Sequence, residues 1–277
     1  MVAIREVLFP TDLSPESDRA FEHARLLAER FLASLTLYHA VEVPDHRFAH
    51  WAFAHDHEIW CHAEKQAREC LQRRAESLQV THRIIVERRI SAHRALVELI
   101  RETEPDLTVL ATHGREGLSH LLLGSVAEKV MQHAFRPVLC VREPDHGPAL
   151  SYRRILVPTD LSSASRRAFP LAALFARTFE SEVLTVHVRR ASRHGATAEH
   201  VSERDVQKFM EPDFAEARIT PRVLEGVVWD RIVATAREER IDLIVMSTHG
   251  HDSLADRIVG SSTERVVRHA PCPVLVS

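Results

Sequence analysis

The sequence predicts an α/β fold of two tandem open-sheet domains, each a five-stranded parallel sheet with helices on both faces. Three observations carry this. A long internal repeat divides the chain into two similar halves. Each half alternates short β-rich apolar runs with segments of helical periodicity. Several runs, such as Leu243-Ile244-Val245-Met246, are apolar without alternation, as a parallel strand covered on both faces requires.

The repeat is read directly from the residues. Leu8-Phe9-Pro10-Thr11-Asp12-Leu13-Ser14 returns as Leu156-Val157-Pro158-Thr159-Asp160-Leu161-Ser162, an offset of 148 residues. Asp106-Leu107-Thr108-Val109-Leu110-Ala111-Thr112-His113-Gly114 returns as Asp242-Leu243-Ile244-Val245-Met246-Ser247-Thr248-His249-Gly250, an offset of 136. Gly124-Ser125 and Gly260-Ser261 keep the second offset. The first half therefore carries about 12 extra residues, in or near the His-rich stretch 45–62. A period of this size marks a duplicated domain. The expected domains are 1–144 and 150–277, joined by the Pro- and Gly-bearing segment 142–148.

In the first half, strands are expected at 4–9, 34–41, 81–90, 107–111 and 138–141. Helices are expected at 15–31, within 54–79, and at 93–103 and 125–133, and the second half repeats the series from Arg154. The first helix places Ala20, Phe21, Ala24, Leu27 and Ala28 on one face. Ser14 is its expected N-cap, with Pro15 at the first helical position, where a missing N–H costs nothing.

Composition excludes several classes of function. Hydrophobic residues make up 45% and charged residues 27%, an ordinary globular balance. With 36 Lys+Arg against 39 Asp+Glu, the net charge is -3, so neither nucleic acid nor an anionic membrane is the expected partner. No apolar run approaches the roughly 18 residues of a membrane-spanning helix. Residues 1–14 lack the basic start, apolar stretch and cleavage site of a signal peptide, and the four cysteines form no CxxC pair, so a cytoplasmic protein with reduced thiols is expected.

The chemistry-bearing positions gather after the first and fourth strands. Pro10-Thr11-Asp12 and Pro158-Thr159-Asp160 put a carboxylate at the end of the first strand, able to accept from a ribose hydroxyl or hold a phosphate-bridging metal. After the fourth strand come Ala111-Thr112-His113-Gly114, nine residues, then Gly124-Ser125; the second half has Ser247-Thr248-His249-Gly250, nine residues, then Gly260-Ser261. A Gly-Ser at a helix start offers backbone N–H groups and the positive end of a dipole, the makings of a phosphate site. The same residues also serve as ordinary turn and capping residues, and duplication copies structure along with function.

With these residues in view, the chain resembles the universal stress protein family, in two tandem copies covering nearly all of it. The resemblance rests on the P-T-D-L-S start, the T-H-G after strand four, the G-S-V-A-E-K-V and G-S-S-T-E-R-V helix starts, and the P-V-L-C-V and P-V-L-V-S endings. The family's nucleotide-binding pattern of Gly, two residues, Gly, nine residues, Gly and Ser or Thr is matched except at its first position, here Ala111 and Ser247. The resemblance implies a strand order 3-2-1-4-5 and binding of ATP, ADP or AMP, with Mg, between strands one and four. Asp12 and Asp160 would meet the adenosine, and Ala40 and Val188 would line the adenine. Gly114, Gly124, Ser125, Gly250, Gly260 and Ser261 would hold phosphates, and Val126 and Ser262 would add backbone N–H groups. Arg115 stands where the second half has His251, and a guanidinium pairs a phosphate better, which favours the first half.

The expected function is therefore that of a cytoplasmic stress-response protein acting as a nucleotide-gated regulator. Nucleotide would order loops 113–123 and 249–259 and alter a surface for an unidentified protein partner. A homodimer of the tandem chain is a further expectation. The rival readings are a nucleotide-independent scaffold, and a weak ATPase or self-phosphorylating protein with Ser125 or Ser261 near the terminal phosphate. An enzyme is the lesser expectation: there is no G-x-x-x-x-G-K-[ST] loop, no G-x-G-x-x-G after strand one and no G-x-S-x-G elbow. His113 and His249 read more naturally as loop anchors than as bases. In the His-rich stretch, His57 and Cys61 lie four apart and are the candidate zinc ligands, against the stronger reading of a solvated helix.

Overall fold

A computed structural model describes residues 2–44, 53–112, 124–133, 136–142, 150–189, 201–215, 217–248 and 260–277, with only the backbone described at 53–57. They cluster in two compact units, one within 4–138 and the other within 139–277 together with residues 2–3, and each copy of the repeat is described by itself. The first copy runs β1 (Glu6–Pro10), α1 (Pro15–Phe31), β2 (Ser34–Glu42), α2 (Phe53–Ala75), β3 (His82–Arg89), α3 (Ala92–Thr103), β4 (Leu107–Ala111), α4 (Ser125–His133) and β5 (Val138–Val141). The second runs β6 (Arg154–Pro158), α5 (Ser163–Arg166), α6 (Phe169–Phe179), β7 (Glu182–Arg189), α7 (Glu203–Met210), β8 (Ile219–Glu225), α8 (Val228–Glu238), β9 (Leu243–Met246), α9 (Ser261–His269) and β10 (Val274–Val276).

Both copies have the expected strand order. In the first, β3-β2-β1-β4 pair in parallel and the Thr108 N–H donates to the Pro137 carbonyl at 3.0 Å, which starts β5 beside β4. In the second, β8-β7-β6-β9-β10 pair in parallel. β1 is central, and its Val7, Leu8 and Phe9 are at most 1% exposed, which is why it reads as a continuous apolar run. The predicted face of α1 is buried on the sheet, with Phe21 5.6 Å from the Phe9 ring. Burying each such large side chain contributes roughly 1.5–3 kcal/mol.

The duplicated Asp106 and Asp242 are structural. Asp106 Oδ2 accepts the backbone N–H groups of Arg5 and Glu6 at 2.8 and 3.1 Å, and Asp242 Oδ2 that of Arg154 at 2.9 Å, tying the fourth strand of each copy to its first. Burial raises the Asp242 carboxyl above its ordinary range, against the pull of those backbone donors.

Two details differ from expectation. The helix after β6 is not one piece: α5 stops at Arg166 and α6 starts at Phe169. Pro170 cannot donate to the Arg166 carbonyl, and its ring crowds that oxygen, whereas the matching residue of continuous α1 is Glu22. Ser14 does hold the N-cap position of α1, but its hydroxyl makes no cap bond to the helix; it donates instead to Asp12 Oδ1 at 2.6 Å.

None of the four cysteines is in a disulfide. Burial pushes the Cys140 thiol up to about 12, and Cys272 is 3% exposed, while Cys61 is exposed. A thiolate-specific reagent is therefore expected to modify Cys61 in the native protein and to reach Cys140 and Cys272 only in denaturant. Rapid native labelling of Cys140 would contradict this packing.

Candidate functional site

The Pro-Thr-Asp-Leu-Ser segment folds as a closed turn at the carboxyl end of the first strand. Thr11 Oγ1 accepts the Leu13 N–H at 2.9 Å and shares a hydrogen bond with Ser17 Oγ at 2.7 Å. Asp12 Oδ1 accepts both the N–H and the hydroxyl of Ser14, at 3.0 and 2.6 Å. Leu13 takes a left-handed backbone (φ 66°), a conformation that costs a residue with a Cβ and that these side-chain bonds offset. The second copy repeats the turn: Leu161 has φ 62°, its N–H meets Thr159 Oγ1 at 3.0 Å, and Asp160 Oδ1 takes the Ser162 N–H and hydroxyl at 3.0 and 2.5 Å. The motif thus has a local structural purpose in both copies, and one carboxylate oxygen of each Asp serves it.

At the end of the fourth strand the chain leaves through Thr112 and returns at Gly124. The Gly124 N–H donates to the Thr112 carbonyl at 2.7 Å, and in the second copy Gly260 donates to Thr248 at 2.8 Å. A Cβ on Gly124 would lie 3.1 Å from the Thr112 oxygen, and one on Gly260 3.2 Å from that of Thr248. Glycine is needed there for closeness. This corrects one expectation about the helix start: the N–H of each glycine is already taken by the neck. The first intrahelical bond of α4 is Glu128 N–H to Gly124 O at 2.9 Å. The N–H groups of Ser125, Val126 and Ala127 precede it and have no carbonyl acceptor within the helix. They are the donors a phosphate would meet.

Turn and neck meet at one cleft of about 980 Å³ over the carboxyl ends of β1, β2 and β4. This is the point where strand order reverses, with β2 on one side of β1 and β4 on the other. The structure brings Pro10, Thr11, Asp12, Ala40, Ala111, Gly124, Ser125 and Val126 together on its wall. His113, Gly114 and Arg115 lie outside the described residues, as do His249 and Gly250. In the second copy Pro158 ends β6, Val188 lies near the end of β7, Ser247 follows β9, and Ser261 and Ser262 open α9 after Gly260.

Several wall residues were not among the site residues expected from the sequence. His39 Nδ1 lies 2.8 Å from the Thr11 carbonyl, so the ring donates there and braces the turn; His187 makes the same bond to Thr159 at 3.0 Å. The signal was present, since His39 and His187 keep the 148-residue offset. His93 sits at the start of α3, with Nδ1 2.9 Å from Ser91 Oγ. From α2, Trp60, Cys70 and Arg73 line the cleft, and Arg73 is the one Lys or Arg among the described lining residues. Of the zinc candidates, Cys61 Sγ accepts from Arg88 Nη2 at 3.1 Å, while the His57 side chain lies outside the described residues. Among the described residues no group of three or more His, Cys, Asp and Glu side chains is placed to hold a metal ion, and no helix is long and apolar enough to cross a membrane.

Comparison with known proteins locates this geometry. The family model described as "Universal stress protein family" matches residues 3–142 and again 151–277. A universal stress protein of Methanocaldococcus jannaschii is 33% identical over 138 residues, 45% of this chain and 81% of that protein. One of Mycolicibacterium smegmatis is 25% identical over 301 aligned positions, 98% of this chain and 96% of the relative. The crystal structure of a universal stress protein from Archaeoglobus fulgidus superposes with a TM-score of 0.75 at 20% identity, covering 100% of this chain and 97% of its own.

Proposed function

This chain belongs to the universal stress protein family, and from that premise we propose that it binds an adenine nucleotide in the first-copy cleft and acts as a nucleotide-gated regulator of the stress response. The observation that carries the reading is the convergence, at the strand-order switch, of the Asp12 turn, the small Ala40 and Ala111, and the first turn of α4. In this reading the flat base lies against Ala40, the ribose hydroxyls approach the Asp12 carboxylate, and the phosphates meet the Ser125, Val126 and Ala127 N–H groups. A helix start favours an anion by roughly 0.3–1 kcal/mol through its dipole alone, before any hydrogen bond is counted. Magnesium would be carried with the phosphates.

The nucleotide acts at the neck. Its phosphates sit beside the Gly124–Thr112 bond from which residues 113–123 spring, so occupancy alters the surface offered to a protein partner. A ligand shifts such an equilibrium only by its differential affinity for the two states. Regulation therefore requires that partner binding and nucleotide binding change each other's affinity by the same factor. Hydrolysis is no part of this reading.

The test is to denature freshly purified protein, identify any released nucleotide by chromatography and mass, and titrate the emptied protein with ATP and magnesium in a calorimeter. Released or titratable adenine nucleotide is expected. Neither release nor binding would remove the proposal and leave a scaffold whose glycines serve only the fold.

A further inference from the structure

The two copies share turn, neck and strand order, yet they differ in the wall of the cleft. Of the alanines that line it in the first copy, four lie outside α2: Ala40 near the end of β2, Ala92 opening α3, Ala111 ending β4 and Ala127 in the first turn of α4. By the offsets of the repeat, 148 for the first and 136 for the others, their counterparts are Val188, Val228, Ser247 and Thr263. All four exchanges add atoms. The two valines each add a pair of carbons, the serine a hydroxyl, and the threonine a hydroxyl and a methyl group.

One of these additions makes a new bond. Thr263 Oγ1 donates to the Ser247 carbonyl at 3.1 Å, tying the first turn of α9 to the end of β9. Both residues are buried, at 4% and 8% exposure. Ala127 has no hydroxyl with which to make this bond to Ala111. The threonine also stands beside the neck, its Oγ1 at an ordinary contact distance of 3.9 Å from a Cβ placed on Gly260; at Gly124 the near atoms all belong to Thr112. Protein interiors carry little spare volume, so groups added at these positions take space from whatever would lie between them.

Among the lining residues outside α2, two positions run the other way, Tyr38 becoming Val186 and Val126 becoming Ser262. Neither opens the crevice between the first and fourth strands. The Tyr38 hydroxyl donates to Glu87 on β3 at 2.8 Å, on the far side of β2, and Val126 was invoked for its backbone N–H. Retention of Asp160 and Gly260 in the second copy needs no ligand, because each has the structural task described above.

Taking the proposed function as its premise, we infer that the adenine nucleotide binds in the first copy alone, and that the second copy keeps the fold with its crevice filled by its own side chains. The full-length chain then takes up one nucleotide. The substitutions Ala40→Val and Ala127→Thr, each already accommodated by the same fold in the second copy, install that filled wall in the first.

The experiment is equilibrium dialysis of the nucleotide-free full chain against ATP with magnesium, for the wild type and the A40V/A127T double variant, with thermal melts to establish that the variant is folded. One ATP per wild-type chain and at least a tenfold weaker affinity in the folded variant are expected. Two per chain would overturn this inference and leave the proposed function standing. One per chain with undiminished affinity in the variant would place the nucleotide outside the first-copy cleft and overturn it as well. No binding to the wild type would defeat the proposed function itself, and this inference with it.

Discussion

Gly124→Val is expected to lose nucleotide affinity by tenfold or more and to destabilise the protein by roughly 1–3 kcal/mol, the usual cost of overpacking a filled site. The reason is the neck. The Gly124 N–H donates to Thr112 O at 2.7 Å, and even the first carbon of a side chain would stand 3.1 Å from that same oxygen. The oxygen is backbone at the end of β4, so it cannot swing aside as a flexible side chain would. Valine must push Gly124 and Thr112 apart, lengthen their bond and shift the start of α4. That start carries the Ser125, Val126 and Ala127 N–H groups, and a shift of an ångström takes them out of hydrogen-bond reach of a bound phosphate. Gly124→Ala presents the same first contact with less bulk and should give a graded loss. Chemical denaturation and ATP titration measure the two effects separately. A valine variant with unchanged stability and unchanged affinity would show that the neck matters to neither.

Acidification below about pH 6.5 is expected to destabilise the first copy through His23. This residue lies on the buried face of α1 with 3% exposure. Burial pulls its pKa from 6.5 down to about 3, and the positive Arg19 adds to the shift. The imidazole is therefore neutral in the folded protein throughout this range. The unfolded chain takes up a proton below its ordinary pKa and the folded chain does not, so proton uptake favours unfolding. Above pH 6.5 neither state is charged and stability does not depend on this group. From there down to about pH 3 the loss approaches about 1.4 kcal/mol per pH unit for this one site. His23→Leu removes the proton acceptor from the same apolar face. Urea unfolding of both proteins between pH 7 and pH 4.5 isolates the contribution: the wild type should lose stability more steeply, and parallel curves would show that His23 ionises in the folded state.

Much of this molecule was legible in its residues. α1, β4, α4 and β5 fall where periodicity and apolar runs place them, because helical spacing and unbroken β-rich stretches are written locally in the chain. The strand order was implied by resemblance and agrees with the pairing in each copy. The break between α5 and α6 was readable too, had Pro170 been set against Glu22 within the repeat. The pairing of His39 with His187 was equally visible as an offset, but nothing in the sequence says that a ring 28 residues from Thr11 donates to its carbonyl.

The sequence by itself determined the duplication, the alternation of strands and helices, and the family. Each is carried by patterns among near neighbours or by direct likeness between the halves. Only the tertiary structure decided what the shared residues do. It gave one oxygen of Asp12 to the turn, spent the Gly124 N–H on the neck, and set alanines from five different elements, among them Ala40, Ala92, Ala111 and Ala127, around one cleft. Alanines at 40, 92, 111 and 127 are unremarkable along the chain and acquire meaning where parallel pairing brings the ends of β2 and β4 and the starts of α3 and α4 to one edge of the sheet. Such gathering depends on contacts between residues far apart in sequence, and these the fold supplies.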